Sequence, residues 1–198
     1  SPEYREYNEP DRFYDQDAVR TIKVDSAGMR STGVGITVAV IDNGLALDHP
    51  LFTKGISSNL YDFIDGDADP TEEEGALSGH GTFVSGLVRL TAPGAVLMPI
   101  RAFDEEGHGT AFSVSRAIYH AIENGADIIN MSFDQDSTNS LLDLAVTDAA
   151  DAGVTMVSPV GNDSSNVATY PSAFPQVIAV GAIDTLELRA DFSNYGGH

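Results

Sequence analysis

The 198-residue sequence contains no cysteine, and its only lysines are Lys23 and Lys54. Without cysteine the chain can form no disulfide and has no thiol nucleophile, which fits either a reducing compartment or a bacterial secreted protein that folds without cross-links. No apolar run approaches the ~18 residues of a membrane-spanning helix, so no such helix is predicted.

Positive charge is scarce. Ten basic residues stand against thirty acidic ones, and the formal net charge is −20. This excess argues against nucleic acids and anionic membranes as partners. A strongly hydrated surface explains it, and so does a salty habitat. With 42% hydrophobic and 20% charged residues, the chain has the composition of one globular domain with a sizeable core.

The first part of the chain differs from the rest. Residues 1–15 are polar and rich in tyrosine without a clear period, which predicts an arm or irregular lead-in. Residues 16–29 predict a short helix. We therefore expect a lead-in over residues 1–32 and a domain over residues 33–198. The first residues do not resemble a signal peptide, so any such segment would lie outside this sequence.

Apolar, β-branched runs alternate with helical patterns from residue 33 onward. Six strands are predicted, near residues 36–41, 59–64, 96–102, 127–131, 154–158 and 176–181. Helices are predicted from residue 80, over 111–124 and over 141–152. This alternation predicts an α/β fold with parallel strands and right-handed crossovers.

Three polar residues stand at the ends of these elements. Asp42 ends the first strand, His80 opens a helix, and Asn162 follows the fifth strand. A histidine taken alone is more often structural than catalytic. In open parallel sheets, however, functional groups gather at the carboxyl ends of strands, so we expect these three side chains to converge.

The segments around these residues carry a family resemblance. VAVIDNG (38–44), GHGTFVSG (79–86) and SPVGND (158–163), in that order, resemble the subtilisin-like serine proteases, or subtilases. Segments 126–133, 170–171 and 177–182 also fit, so the resemblance runs from about residue 33 to 196. It implies a three-layer α/β/α fold with a mostly parallel sheet, and the triad order Asp, His, Ser.

The resemblance assigns a role to each of the three residues. It makes Asp42 and His80 two members of the triad and Asn162 a donor to the oxyanion. Subtilases carry the nucleophile in a Gly-Thr-Ser motif further along than residue 198, and no such motif occurs here. We therefore expect this chain to be the N-terminal part of a catalytic domain, without the C-terminal part, and to be inactive alone. The alternative is a noncatalytic pseudoprotease, or a peptide- or inhibitor-binding module that keeps the groove.

Two glycines mark an expected substrate-binding edge. By resemblance, the backbone of Gly107, His108 and Gly109 pairs with an extended substrate. Such pairing needs free backbone N–H and C=O groups and no bulky side chain, and Gly107 and Gly109 meet this requirement. A simple glycine turn is the alternative reading of the same residues.

A second substrate-binding segment stands at the wall of the family's primary specificity pocket. Ser132, Phe133 and Asp134 occupy that wall by resemblance, and Val160 would narrow the pocket. Asp134 replaces the usual glycine. Its carboxylate would either favour basic side chains or crowd the pocket, so no specificity is predicted.

The remaining expectations concern ions and partners. No metal ligand is assigned, although the acidic segment Asp62–Glu74 could bind calcium. Its spacing is not that of a calcium loop, and a solvated acidic loop is the favoured reading. By resemblance the partner is a protein or peptide substrate, and the protein is secreted or extracytoplasmic. The absent serine helix would bare an apolar face that recruits a complementary C-terminal fragment or drives self-association.

Overall fold

A computed structural model describes residues 16–196; the predicted arm at residues 1–15 lies outside the described residues. The helices are α1 (Asp17–Thr21), α2 (Val24–Gly28), α3 (His80–Thr91), α4 (Ala111–Glu123) and α5 (Ser140–Asp151). The strands are β1 (Thr37–Asp42), β2 (Tyr61–Asp62), β3 (Val96–Arg101), β4 (Ile128–Met131), β5 (Thr155–Pro159) and β6 (Val177–Val180).

The six strands form one sheet in the order β2-β3-β1-β4-β5-β6, and every neighbouring pair is parallel. The predicted α/β class is therefore confirmed. β1 lies in the middle, and its last residue, Asp42, is in register with Arg101 at the end of β3. The carboxyl ends of all strands consequently meet at one edge of the sheet, where the polar residues were expected.

Helices cover both faces of the sheet and make three layers. On one face, Ile41, Ile100 and Met131 are fully buried under α4 and α5, whose small residues allow close packing. On the other face, Val40 and Leu97 pack against the inner side of α3. This confirms the predicted α/β/α architecture. Within residues 16–196, no helix combines the length and apolar character needed to cross a bilayer.

Two predicted elements are shorter than expected. The strand predicted over 59–64 keeps only Tyr61 and Asp62, because the Asp62 carboxylate turns back to accept the backbone N–H groups of Ile64 and Asp65. The single helix predicted over 16–29 is two helices, since Lys23 between them has a φ of 57° that no α-helix accommodates.

Candidate active site

Asp42 and His80 form the central contact of the site. The Asp42 side chain is only 4% exposed at the end of β1, and the His80 side chain, at the first residue of α3, is 38% exposed. Asp42 Oδ1 and His80 Nδ1 lie 2.7 Å apart and share a hydrogen bond. Oδ1 also accepts the N–H of Asn43 at 2.8 Å. The His80 imidazole thus contacts a buried carboxylate on one side and is partly open to solvent on the other.

The electrostatics of this pair favour the protonated imidazole. The pKa of His80 is raised above its ordinary value of 6.5, chiefly by the hydrogen bond to Asp42, with the charges of Asp42 and Glu72 adding to it and burial opposing it. Because a carboxylate only accepts, Nδ1 carries the hydrogen and neutral His80 has its lone pair on Nε2. No group within the described chain hydrogen-bonds to Nε2. His80 can therefore accept a proton at Nε2 while Asp42 stabilises the cation.

Asn43, the residue after Asp42, fixes the start of α3. Its Oδ1 accepts the N–H of Gly81 at 2.9 Å and its Nδ2 donates to the carbonyl of Leu77 at 2.8 Å. A side chain at Gly81 would collide with the carbonyl of Gly44, so glycine permits this close approach. The sequence analysis did not predict this role of Asn43, although its position directly after Asp42 indicated that it lies in the site.

Asn162 lies in the exposed turn after β5. Only β4 separates β5 from β1, so the ends of these two strands are about 10 Å apart at the same edge of the sheet. The Asn162 carboxamide hydrogen-bonds to no residue of the described chain and is open to a ligand. The fold thus brings Asp42, His80 and Asn162 to one edge, and only the first two touch.

The model of the subtilase family matches residues 33–198. The chain belongs to the subtilase family. It is 36% identical over 172 residues to a thermophilic serine proteinase of Bacillus sp. (strain AK1), and the alignment covers 82% of this chain and 42% of the relative. It is 33% identical to halolysin of Haloferax mediterranei, over 96% of this chain and 38% of the relative.

A solved structure supports the same relationship. The crystal structure of a lanthipeptide protease superposes with a TM-score of 0.83 at 26% identity, covering 93% of this chain and 60% of that protein. This subtilase chain spans about two fifths of the length of the two curated relatives above.

The expected specificity wall of this subtilase chain lies beside the Asn162 turn. Phe133 packs on Phe103 with ring centroids 5.0 Å apart. The Asp134 carboxylate faces Gly161, with Oδ2 2.8 Å from the position that a Cβ at Gly161 would occupy. Burial raises the pKa of Asp134, and the charges of Asp163 and Asp136 raise it further. No cation within residues 16–196 pairs with this carboxylate.

Two other predicted pocket residues turn toward the protein. Ser132 accepts a hydrogen bond from the amide of Asn130 at 2.7 Å. Val160 lines a small cavity of about 70 Å³ that it shares with Asn194 and Tyr195. Asp134, in contrast, has an exposed carboxylate, and the Ser132 hydroxyl keeps its own hydrogen free to donate.

The predicted substrate edge at residues 107–109 is a tight turn closed by Asp104. The N–H of His108 donates to the Asp104 carboxylate at 2.7 Å, and the carbonyl of His108 accepts the N–H of Asp104 at 3.0 Å. Gly107 has a φ of 85° and donates its N–H to the Asp104 carbonyl. His108 uses both backbone groups inside the turn, and Gly109 forms an antiparallel bridge with Phe103. Pairing of this segment with an extended peptide stays a prediction.

The acidic loop is not simply solvated, as the favoured reading had it. Asp62 is fully buried and accepts from the Arg101 guanidinium at 2.8 Å, and the same guanidinium bonds to Asp65 at 2.9 Å and to Glu73 at 3.0 Å. The pairing arises because β2 and β3 place Asp62 and Arg101 side by side. No group of three acidic or histidine residues in the described chain is arranged to hold a metal. Calcium at this loop stays a prediction.

Asn194 is a further site residue that sequence reasoning missed. The side-chain Oδ1 of buried Asn194 accepts the backbone N–H groups of Asp163 at 2.9 Å and Ser165 at 3.0 Å. The backbone N–H of Asn194 donates to the carbonyl of Gly161. These three bonds hold the turn that carries Asn162. These contacts join residues about thirty positions apart in the sequence, so no local sequence pattern predicts them.

Proposed function

We propose that this chain is the larger part of the catalytic domain of a subtilisin-like serine endopeptidase. The single observation that carries the proposal is the 2.7 Å contact between His80 Nδ1 and Asp42 Oδ1. It leaves Nε2 as the only site for proton transfer and gives the resulting imidazolium a buried counter-charge. Membership of the subtilase family supports the same assignment.

The proposed chemistry needs a serine hydroxyl from a segment outside these residues. A serine hydroxyl is too weak an acid to attack a peptide carbonyl unaided, so His80 takes its proton at Nε2 as the oxygen bonds to the carbonyl carbon. The imidazolium then returns that proton to the leaving amine as the peptide C–N bond breaks. The Asn162 amide donates to the oxyanion of the tetrahedral intermediate.

An uncovered face of the sheet supports a position for such a segment. In register, Val40, Asn130, Val157 and Ile178 form one row across β1, β4, β5 and β6 on the face that α3 covers. Over β6 this face is open, and the apolar Ile178 and Val180 are 54% and 48% exposed.

We propose that a helix bearing the serine covers this open face, either as later sequence or as a complementary C-terminal fragment. Self-association through the same face is the alternative. Without that helix, we expect the 198-residue chain to cleave no peptide. Protein or peptide substrates and an extracytoplasmic location belong to the same proposal.

Active-site labelling of the full-length gene product tests the proposal. We expect a serine-directed fluorophosphonate to label the unaltered protein, and we expect His80→Ala to abolish labelling. His120→Ala, which removes a histidine of α4 that lies outside every proposed site residue, should label normally. Absence of labelling in a folded protein with its serine intact would instead favour the noncatalytic peptide- or inhibitor-binding module.

A further inference from the structure

The helix that carries His80 has no cap of its own. Its N-cap residue is Gly79, with a φ of 88° and no side chain to accept the free N–H groups of the first turn. Within the first turn, the N–H of His80 donates to the carbonyl of Leu77 and the N–H of Gly81 donates to Asn43 Oδ1. Glu72, seven residues before Gly79, binds two other groups at the same end of the helix. Its Oε2 accepts the N–H of Gly79 at 3.1 Å, and its Oε1 accepts the hydroxyl of Thr82 at 2.6 Å.

The same contacts join α3 to the chain that follows Asp42. The Thr82 hydroxyl oxygen accepts the N–H of Ala46 at 2.8 Å, and the N–H of Leu45 donates to the carbonyl of Pro70 at 2.9 Å. A Cβ at Gly44 would lie 2.9 Å from the Glu72 backbone, so the two segments touch directly. Glu72 therefore sits at the meeting point of the Asp42 strand, the acidic loop and the His80 helix.

The charge of Glu72 has a second effect. The N-terminus of a helix carries a partial positive charge, which opposes the imidazolium that forms on His80 during proton transfer. Two negative groups face His80 from the elements around it, Asp42 from β1 and Glu72 from the loop. Asp42 binds the imidazole, whereas Glu72 binds the helix terminus and offsets its positive potential.

We propose that Glu72 is a positioning residue for His80. Its carboxylate closes the N-terminus of α3, fixes the helix against the Asp42 turn and stabilises the protonated imidazole. The catalytic meaning of this role rests on the proposed peptidase function, in which that imidazolium is an intermediate.

The three consecutive glutamates provide matched variants. Glu73 binds Arg101, while Glu74 is exposed and makes none of the contacts with α3. Glu72→Gln removes a charge but keeps the length of the side chain and an amide oxygen that can still accept. Glu74→Gln makes the same change in charge two residues away.

The experiment is an NMR titration of the His80 imidazole in the full-length gene product. We expect Glu72→Gln to lower the pKa of His80 relative to the unaltered chain, and Glu74→Gln to leave it unchanged. An unchanged pKa in Glu72→Gln, or an equal decrease in both variants, would overturn the proposal. A general loss of surface charge would move both variants alike.

A second measurement needs no variant. The carboxyl carbon resonance of Glu72 in the unaltered chain should show an inflection at the pH where His80 titrates, because coupling between two groups is reciprocal. The carboxyl resonance of Glu74 should show none. If the Glu72 resonance also lacks the inflection, the proposal fails. Neither titration depends on peptide cleavage, so a failure here is separate from a failure of the proposed peptidase function.

Discussion

Arg101 donates to Asp62 across 2.8 Å, and both side chains are only 1% exposed. Asp65, Glu73 and Glu105 surround the same guanidinium. One arginine therefore holds four carboxylates together between the end of β3 and the loop that leads to the His80 helix. The acidic loop is ordered by this cation.

We expect Arg101→Met to destabilise the fold by about 3–5 kcal/mol, because removing one partner of a buried pair leaves an uncompensated charge. The free energy of unfolding from urea denaturation measures this. Arg30→Met, at an exposed arginine, is the matched control and should change that free energy by no more than about 0.5 kcal/mol. Equal changes in the free energy of unfolding for the two substitutions would show that the ion pairs of Arg101 do not stabilise the fold.

The raised pKa of His80 predicts a pH dependence of stability. A group whose pKa is higher in the folded state stabilises that state fully below its unfolded value, about 6.5, and loses this contribution as pH rises through the folded value. Urea denaturation of the unaltered chain and of His80→Gln should be compared between about pH 6 and pH 9.

The difference in unfolding free energy between these two proteins should shrink as pH rises. Other groups titrate in both proteins, so the difference isolates His80. A difference that grows with pH would mean that burial, and not the hydrogen bond to Asp42, dominates the pKa of His80.

Asn194→Ala should loosen the turn that carries Asn162. The substitution removes two part-buried hydrogen bonds, from the N–H groups of Asp163 and Ser165, each worth about 0.5–1.5 kcal/mol. Hydrogen exchange at these two amides should accelerate in the variant more than exchange in β1. Asn166→Ala, at an exposed position in the same loop, should leave both amides protected. Unchanged protection in Asn194→Ala would contradict the assigned role.

Local sequence patterns predicted the elements that bury an apolar face. β1, β3, β4, β5 and β6 lie within about two residues of their predicted ranges, since buried parallel strands read as continuous apolar runs. β2 was overestimated because a two-residue edge strand ends where Asp62 turns toward Arg101. That turn depends on a partner 39 residues away.

The candidate site was predictable where residues stand at element ends, and not where loops fold back. Asp42 and His80 could be placed because a strand end and a helix start each have a local signature. Glu72 looked like its neighbours Glu73 and Glu74, and only the folded loop shows which of them reaches α3. The role of Asn194 in holding the Asn162 turn could not be predicted for the same reason.

The pairing of Asp42 with His80 as a catalytic base is tested most directly by peptide hydrolysis with the full-length gene product. The value of kcat/KM should be compared between the unaltered protein and His80→Ala, with folding checked by circular dichroism. A decrease of at least about 10⁴-fold is predicted, because the serine then has no base. A decrease of less than about tenfold in a folded variant would contradict the assignment of His80 as the base.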